Sequence, residues 1–188
     1  MIAPTEAPLL TAWQVITGPP SAGKTSVIEA LAARGHRDVP ESARAHIAAL
    51  GHRPEAIAAD RELQIAIQQG IACRQRGVEL DLHPAEPLFL DRALPDSIAY
   101  FEQLALGTDH LFAGARWRYR RVFFLEGLAL EADGLRFEDA GLARAIGASI
   151  LDAYTQLGST PVRIPTFRRK DVGNAVAARL SIILSGPP

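Results

Sequence analysis

The chain has 188 residues, 48% of them apolar and 22% charged, with a formal net charge of −1. Those proportions fit one globular domain, residues 1–188, with a sizeable core, and they exclude long disorder. The near-zero charge excludes the broad positive field that non-specific nucleic-acid binding uses, so no nucleic-acid partner is expected.

The single cysteine, Cys73, cannot close an internal disulfide, which fits a reducing compartment. Residues 1–10 show neither a basic start nor a sustained apolar stretch, and no apolar run approaches the roughly 20 residues needed to cross a bilayer. A cytoplasmic protein without a transmembrane segment is expected.

In chain order, residues 13–17 (Trp-Gln-Val-Ile-Thr) are short, apolar and β-branched, and Gly18-Pro19-Pro20 stops them: a buried strand entering a loop. Residues 24–34 read as a helix ended by Gly35, and 36–39 as a second strand. Pro40 and Glu41 open a helix towards Leu50, closed by Gly51. Residues 55–80 give the longest helical pattern, with Ile57, Leu63, Ile67 and Ile71 on one face; Gly70 weakens one turn of it. Residues 87–90 are the clearest core strand and end at Asp91. A helix over 95–106 follows, then a basic segment up to Arg121 and a fourth strand at 122–125. Residues 127–139 carry Gly134 and read as a loop, 140–157 as a helix, and 161–164 as the last strand. Asp171 caps a final helix through Leu184.

Strands separated by helices predict an α/β fold of three layers, with about five parallel strands and helices on both faces. In such sheets ligands bind beyond the carboxyl ends of the strands. Those ends here are Thr17, Val39, Asp91, Glu126 and Pro165.

Gly18-Pro19-Pro20-Ser21-Ala22-Gly23-Lys24-Thr25 satisfies G-x-x-x-x-G-K-[ST] in full, between a strand and a helix. The two glycines allow backbone angles that turn successive N–H groups towards one anion, and the helix presents its positive end to the same place. The eight residues, with Ser26 after them, are therefore expected to cradle the phosphates of ATP or GTP. Lys24 would reach the β- and γ-phosphates, and the Thr25 hydroxyl would hold magnesium.

A cradle names the phosphate and leaves the reaction open. A GTPase switch usually carries N-K-x-D, and Arg169-Lys170-Asp171 lacks that spacing. A mechanical ATPase usually follows its second strand motif with Asp-Glu, whereas Arg92 follows Asp91. A kinase of small molecules remains. Asp91-Arg92-Ala93 with Ser97, Ala99 and Tyr100 resembles the Asp-Arg segment of thymidylate-kinase-type enzymes. Val39-Pro40-Glu41-Ser42-Ala43-Arg44 and Asp133-Gly134-Leu135-Arg136 resemble nicotinamide riboside kinase domains and the small predicted ATPases grouped with them. The resemblance spans roughly residues 13–139 and implies a P-loop NTPase fold, a closing lid near 127–139, and transfer of phosphate to a nucleoside, a nucleotide or another hydroxylated metabolite.

The candidate residues follow from their places. Asp91 ends a strand beside the P-loop strand and would hold magnesium through water or accept a proton from an acceptor hydroxyl. Arg92, with its rigid fork, would face the acceptor, where it would bind phosphate or carboxylate, or else make an ion pair. Glu41 and Arg44, three residues apart, would bind the acceptor or pair with each other. Asp96 would contact the acceptor or cap a helix. Arg136, in the lid, would stabilise charge on the γ-phosphate. The cluster of Arg116, Arg118, Arg120 and Arg121 with Trp117 and Tyr119 would be a helix end or a lipid or partner surface. Residues 164–167 would wall the base.

The five histidines and one cysteine show no metal-ligand spacing. The expected function is thus an ATP-dependent kinase of a small acceptor. The alternatives are a nucleotide-controlled binding module with a lipid or protein partner, or an ATPase whose acceptor is water.

Overall fold

A computed structural model describes residues 8–127, 137–166 and 172–185. Its centre is β2 (Gln14–Thr17), preceded by the short β1 (Leu9–Leu10) and followed by helix α1 (Lys24–Ala32). Then come β3 (Asp38–Val39), α2 (Ser42–Leu50), α3 (Pro54–Ala59), α4 (Arg61–Asp81), β4 (Phe89–Asp91), α5 (Leu94–Gln103) and α6 (Asp109–Gly114). The chain closes with β5 (Trp117–Arg118), β6 (Arg121–Leu125), α7 (Phe137–Gln156), β7 (Val162–Ile164) and α8 (Val172–Ser185).

Five strands form one parallel sheet in the order β3-β4-β2-β6-β7. Alternation along these strands divides the core in two. Val15, Leu90, Val122 and Phe124 point to one face and pack with Ile146, Ile150 and Tyr154 of α7. Ile16, Phe89, Phe123 and Leu125 point to the other and pack with Val27, Ile28 and Leu31 of α1 and Leu180 and Ile183 of α8. This is the three-layer P-loop NTPase fold that the strand and helix order predicts.

Two expectations need correction. The helix expected over 55–80 is two helices. Asp60 sits between them with extended backbone and accepts the Leu63 N–H at 3.0 Å, while the Gln64 amide donates to Ile57 and Ala58 at 2.9 Å. A capping side chain that bonds its own backbone stops α3 and starts α4, although the apolar spacing runs through unbroken. Gly70, which weakened the pattern, has a packing reason: a Cβ there would meet the His46 imidazole, so its absence lets α2 lie close against α4.

The arginine-rich segment is mostly strand and not a helix end: Arg118 lies in β5 and Arg121 opens β6, while Arg116 follows the last turn of α6. Trp117–Arg118 pairs in parallel with Leu9–Leu10. Trp117 is buried against Trp13, ring centroids 5.1 Å apart, and the Arg116 guanidinium lies 4.9 Å from the Trp117 ring centroid. Arg118 donates to the carbonyls of Ala115 and Trp117 at 3.0 and 3.1 Å. A buried indole with β pairing outweighs the clustering of like charges in deciding local structure. Among the described residues no helix is long and apolar enough to cross a membrane.

Candidate functional site

The loop between β2 and α1 takes the shape its glycines permit. Gly18 has φ +141° and its missing Cβ would collide with the Leu125 carbonyl oxygen of the neighbouring strand. Gly23, at φ +79°, is the residue from which α1 starts, and no side chain caps the helix. Ser21 takes φ +61° without being glycine, a strained angle of the kind that gathers at ligand clamps. The uncapped N–H groups of Lys24, Thr25 and Ser26 thus form the first turn of a helix whose positive end opens at the loop. Lys24 is buried, and its Nζ donates to the carbonyls of Pro19 at 2.8 Å and Gly18 at 3.2 Å. Burial, and next the nearby Arg92, lower its pKa to about 8.

A further cation braces the loop from far along the chain. Arg179 of α8 is buried and donates from Nη1 to the Ala22 carbonyl at 2.7 Å. A Cβ on Gly23 would sit 2.9 Å from that same nitrogen. Gly23 therefore serves both the left-handed turn and the close approach of a guanidinium. Sequence reasoning missed Arg179; the available signal was an arginine as the one charged residue of the last helix.

The carboxylates gather beyond the end of β4. Asp91 lies in register with Ile16 on the P-loop strand and is 6% exposed. Its Oδ1 is buried with no hydrogen-bond partner. Burial, and after it the charge of Glu41, raise its carboxyl to about 6, against the lowering pull of Lys24 and Arg92. Arg92 follows at φ +70°, its N–H bonded to the Ile16 carbonyl at 3.1 Å. Its guanidinium donates from Nε to Glu41 Oε1 at 2.8 Å and from Nη1 to Asp96 Oδ1 at 2.9 Å, and lies 5.5 Å from the Tyr100 ring centroid.

Glu41 and Arg44 do not pair with each other. Glu41 is the residue before α2, outside the helix, and turns to Arg92. Arg44 donates to the Thr25 hydroxyl at 3.3 Å. The helical i,i+3 spacing fails because Glu41 occupies the cap position.

Asp96 combines a cap with a deeper role. Oδ2 accepts the Ala93 N–H at 3.1 Å at the start of α5 and the Tyr154 hydroxyl at 2.7 Å. Oδ1 accepts the Thr17 hydroxyl at 2.5 Å and Arg92. One carboxylate thus ties β2, α5 and α7 to the arginine.

A second buried carboxylate, Glu79 of α4, was not singled out from sequence. Its Oε1 accepts the Leu94 N–H at 2.7 Å and the Gln75 amide at 2.9 Å, and Oε2 accepts the Tyr119 hydroxyl at 3.0 Å. Gln75 in turn accepts the Ser42 hydroxyl at 2.6 Å, next to Glu41. The network fixes the first residues of α2 and α5 relative to each other. Burial pushes the Glu79 carboxyl from the ordinary 4.5 up to about 7. Between those values the folded state keeps a proton that the unfolded chain has lost, so this group's contribution to stability falls as pH rises from 4.5 to 7. The expected loss is about 3 kcal/mol at most, at 1.36 kcal/mol per pKa unit. Urea midpoints measured from pH 5 to 8 should fall for the wild type and fall less for Glu79→Gln. Equal slopes would mean that Glu79 is ionised in the fold.

Of the lid expected near 127–139, residues 128–136 with Arg136 lie outside the described residues, as do Phe167 and Asp171, while residues 137–139 belong to the first turn of α7 and not to a loop.

The family follows from the comparison with known proteins. A family model described as an AAA domain matches residues 13–171, most of the chain. The chain belongs to the AAA domain family. The match runs from the P-loop strand past β7, so the loop, Asp91 and the carboxylate cluster all lie inside the AAA domain. A solved structure of NadR protein in complex with NR has a TM-score of 0.63 and 16% identity, covering 94% of this chain and 51% of that one. The AAA domain chain thus spans about half the length of that NadR structure. Thymidylate kinase from Ehrlichia chaffeensis has a TM-score of 0.57 and 12% identity, covering 94% and 100% of the two chains. At such identities the likeness is one of fold. No curated protein matches the AAA domain chain.

Proposed function

We propose that the protein is an ATP-dependent phosphotransferase that moves the γ-phosphate to a small acceptor. The observation that carries this reading is Asp91 Oδ1, buried and unpartnered at the end of the strand next to the P-loop strand. A stable fold rarely leaves a carboxylate oxygen in that state, and such exceptions mark functional positions.

In this reading the N–H groups of Gly18 and of residues 21–26 hold the nucleotide phosphates, Pro19 and Pro20 having none to offer, and the Lys24 ammonium moves from the loop carbonyls onto the phosphate oxygens. The Thr25 hydroxyl and the Asp91 carboxylate are hard oxygen donors and fit a magnesium ion, the more so because one of those oxygens has no other partner. When bound, magnesium neutralises charge on the phosphates. Asp91 also suits the proton of an attacking hydroxyl, since burial and Glu41 raise its basicity. Glu41 orients the acceptor, and Arg92 holds Glu41 in place. Asp96 acts on the site through Arg92. Arg44, at Thr25, and Arg136, in the lid, bring positive charge to the γ-phosphate side.

Asp91→Asn should keep nucleotide affinity within a few-fold and lose turnover by at least roughly 100-fold, in line with loss of a general base. Nucleotide titration and phosphate-transfer rates on the same preparation check both halves. Full activity in that variant would remove Asp91 from the chemistry.

A further inference from the structure

We infer that the groove at the amino-terminal ends of β6 and β7 is a second binding site, built for a small soluble anion with an apolar body and a phosphate or carboxylate head. The site stands whatever reaction takes place at the opposite edge of the sheet.

Arg121 opens β6, and Leu125, beside Gly18, closes it. At about 3.3 Å per residue the strand places the groove roughly 13 Å from the loop that starts at Gly18. The groove has a volume of about 500 Å³, in the range that takes a cofactor-sized molecule. Its walls are fixed before any ligand arrives. The Arg120 N–H bonds the Trp13 carbonyl at 2.9 Å, and Tyr119, which lines the groove, anchors its hydroxyl on Glu79 at 3.0 Å. A preformed site loses little freedom on binding.

Arg118, Arg120 and Arg121 all line the groove, and no aspartate or glutamate does. Arg118 gives Nη1 to the carbonyls of Ala115 and Trp117, which holds its guanidinium in place. Among the described residues, neither Arg120 nor Arg121 has a side-chain hydrogen bond or an ion pair. Elsewhere arginines are neutralised: Arg37 by Glu86, Arg163 by Glu126, and Arg92 by two carboxylates. Three like charges around one cavity repel each other, and a bound anion removes that repulsion. A guanidinium fork suits phosphate and carboxylate alike. Leu10, Val162 and Ile182 line the same groove and are 83%, 41% and 36% exposed. Large apolar side chains left in water beside the cations give an apolar body a surface to cover. The chain carries 21 acidic residues against 20 lysines and arginines, so no wider positive field supports a polyanion or an acidic bilayer. The charge is local, and so is the ligand.

The probes are octyl phosphate and octanoate, with inorganic phosphate as the head alone and octyltrimethylammonium as the same chain with opposite charge. Calorimetric titration is run on the full chain, with and without ADP and magnesium. The expected result is one molecule of octyl phosphate or octanoate per chain, bound at least tenfold more tightly than inorganic phosphate and not displaced by ADP. Octyltrimethylammonium should not bind. Binding of octyl phosphate alone assigns a phosphate head, and of octanoate alone a carboxylate. The double variant Arg120→Ala, Arg121→Ala should lower the affinity at least tenfold. Leu10→Glu, at an exposed position, should lower it too, with the melting temperature within a few degrees of wild type. Failure of both anions to bind, displacement by ADP, or undiminished binding in the folded variants removes the site. Equal affinity for inorganic phosphate overturns the role of the apolar wall. Cosedimentation with vesicles of equal parts phosphatidylcholine and phosphatidylserine, when neither soluble anion binds, would replace the site by a membrane contact.

Discussion

Gly18→Ala is expected to abolish nucleotide binding and to destabilise the protein by about 2–5 kcal/mol, the sum of overpacking and an unfavourable backbone angle. The added Cβ would run into the Leu125 carbonyl oxygen, and Leu125 belongs to β6, which pairs with the P-loop strand along Gln14–Thr17. A carbonyl in a sheet ladder cannot move aside without breaking the ladder, so the loop has to move. The φ of +141° adds strain of its own for any residue with a side chain. Urea denaturation measures the first effect, and titration with a fluorescent ATP analogue the second. Wild-type behaviour in both would mean that the loop does not run against β6. Gly23→Ala offers a graded comparison, because its obstacle is the movable end of Arg179 and not backbone.

The second large effect is expected at Asp96. A carboxylate that only capped α5 would cost about 1 kcal/mol on truncation. Asp96 also accepts bonds from Thr17, Arg92 and Tyr154, all buried. Asp96→Ala leaves Arg92 with Glu41 as its remaining carboxylate and two hydroxyls without an acceptor. Breaking a buried ion pair costs roughly 3–5 kcal/mol, and each orphaned donor adds to it. The magnitude therefore decides between cap and hub: a loss near 1 kcal/mol in urea unfolding would reduce Asp96 to a cap. Asp96→Asn keeps the shape but loses the charge on which Arg92 depends, so it should fall between wild type and alanine.

The two predictions differ in how far the sequence foretold them. Gly18 stands in a motif read directly from eight consecutive residues, and its conformational need is a property of one residue. The role of Asp96 as a hub was invisible. Its helix-start position pointed to a cap, which is half of what it does, and the other half comes from Tyr154, 58 residues away, and Thr17, 79 away. Glu79 was missed because a glutamate in a long helix reads as a solvated face; only the docking of α2 and α5 on α4 seals it. The pairing of Glu41 with Arg44 was plausible by spacing, and the structure instead sends Glu41 51 residues onward to Arg92.

From its residues alone the chain determined a parallel α/β sheet, the place of the glycine-bearing loop between β2 and α1 and the strand that ends at Asp91. Those are local properties: apolar alternation, glycine angles and a lysine at the start of a helix act within a window of about ten residues, whatever surrounds them. Only the tertiary structure decided which charges neutralise which. Burial turns a weak surface attraction into a strong and exclusive pairing, and burial depends on which helices meet. Arg92 between Glu41 and Asp96, and Arg179 against the P-loop from 157 residues away, are consequences of that packing.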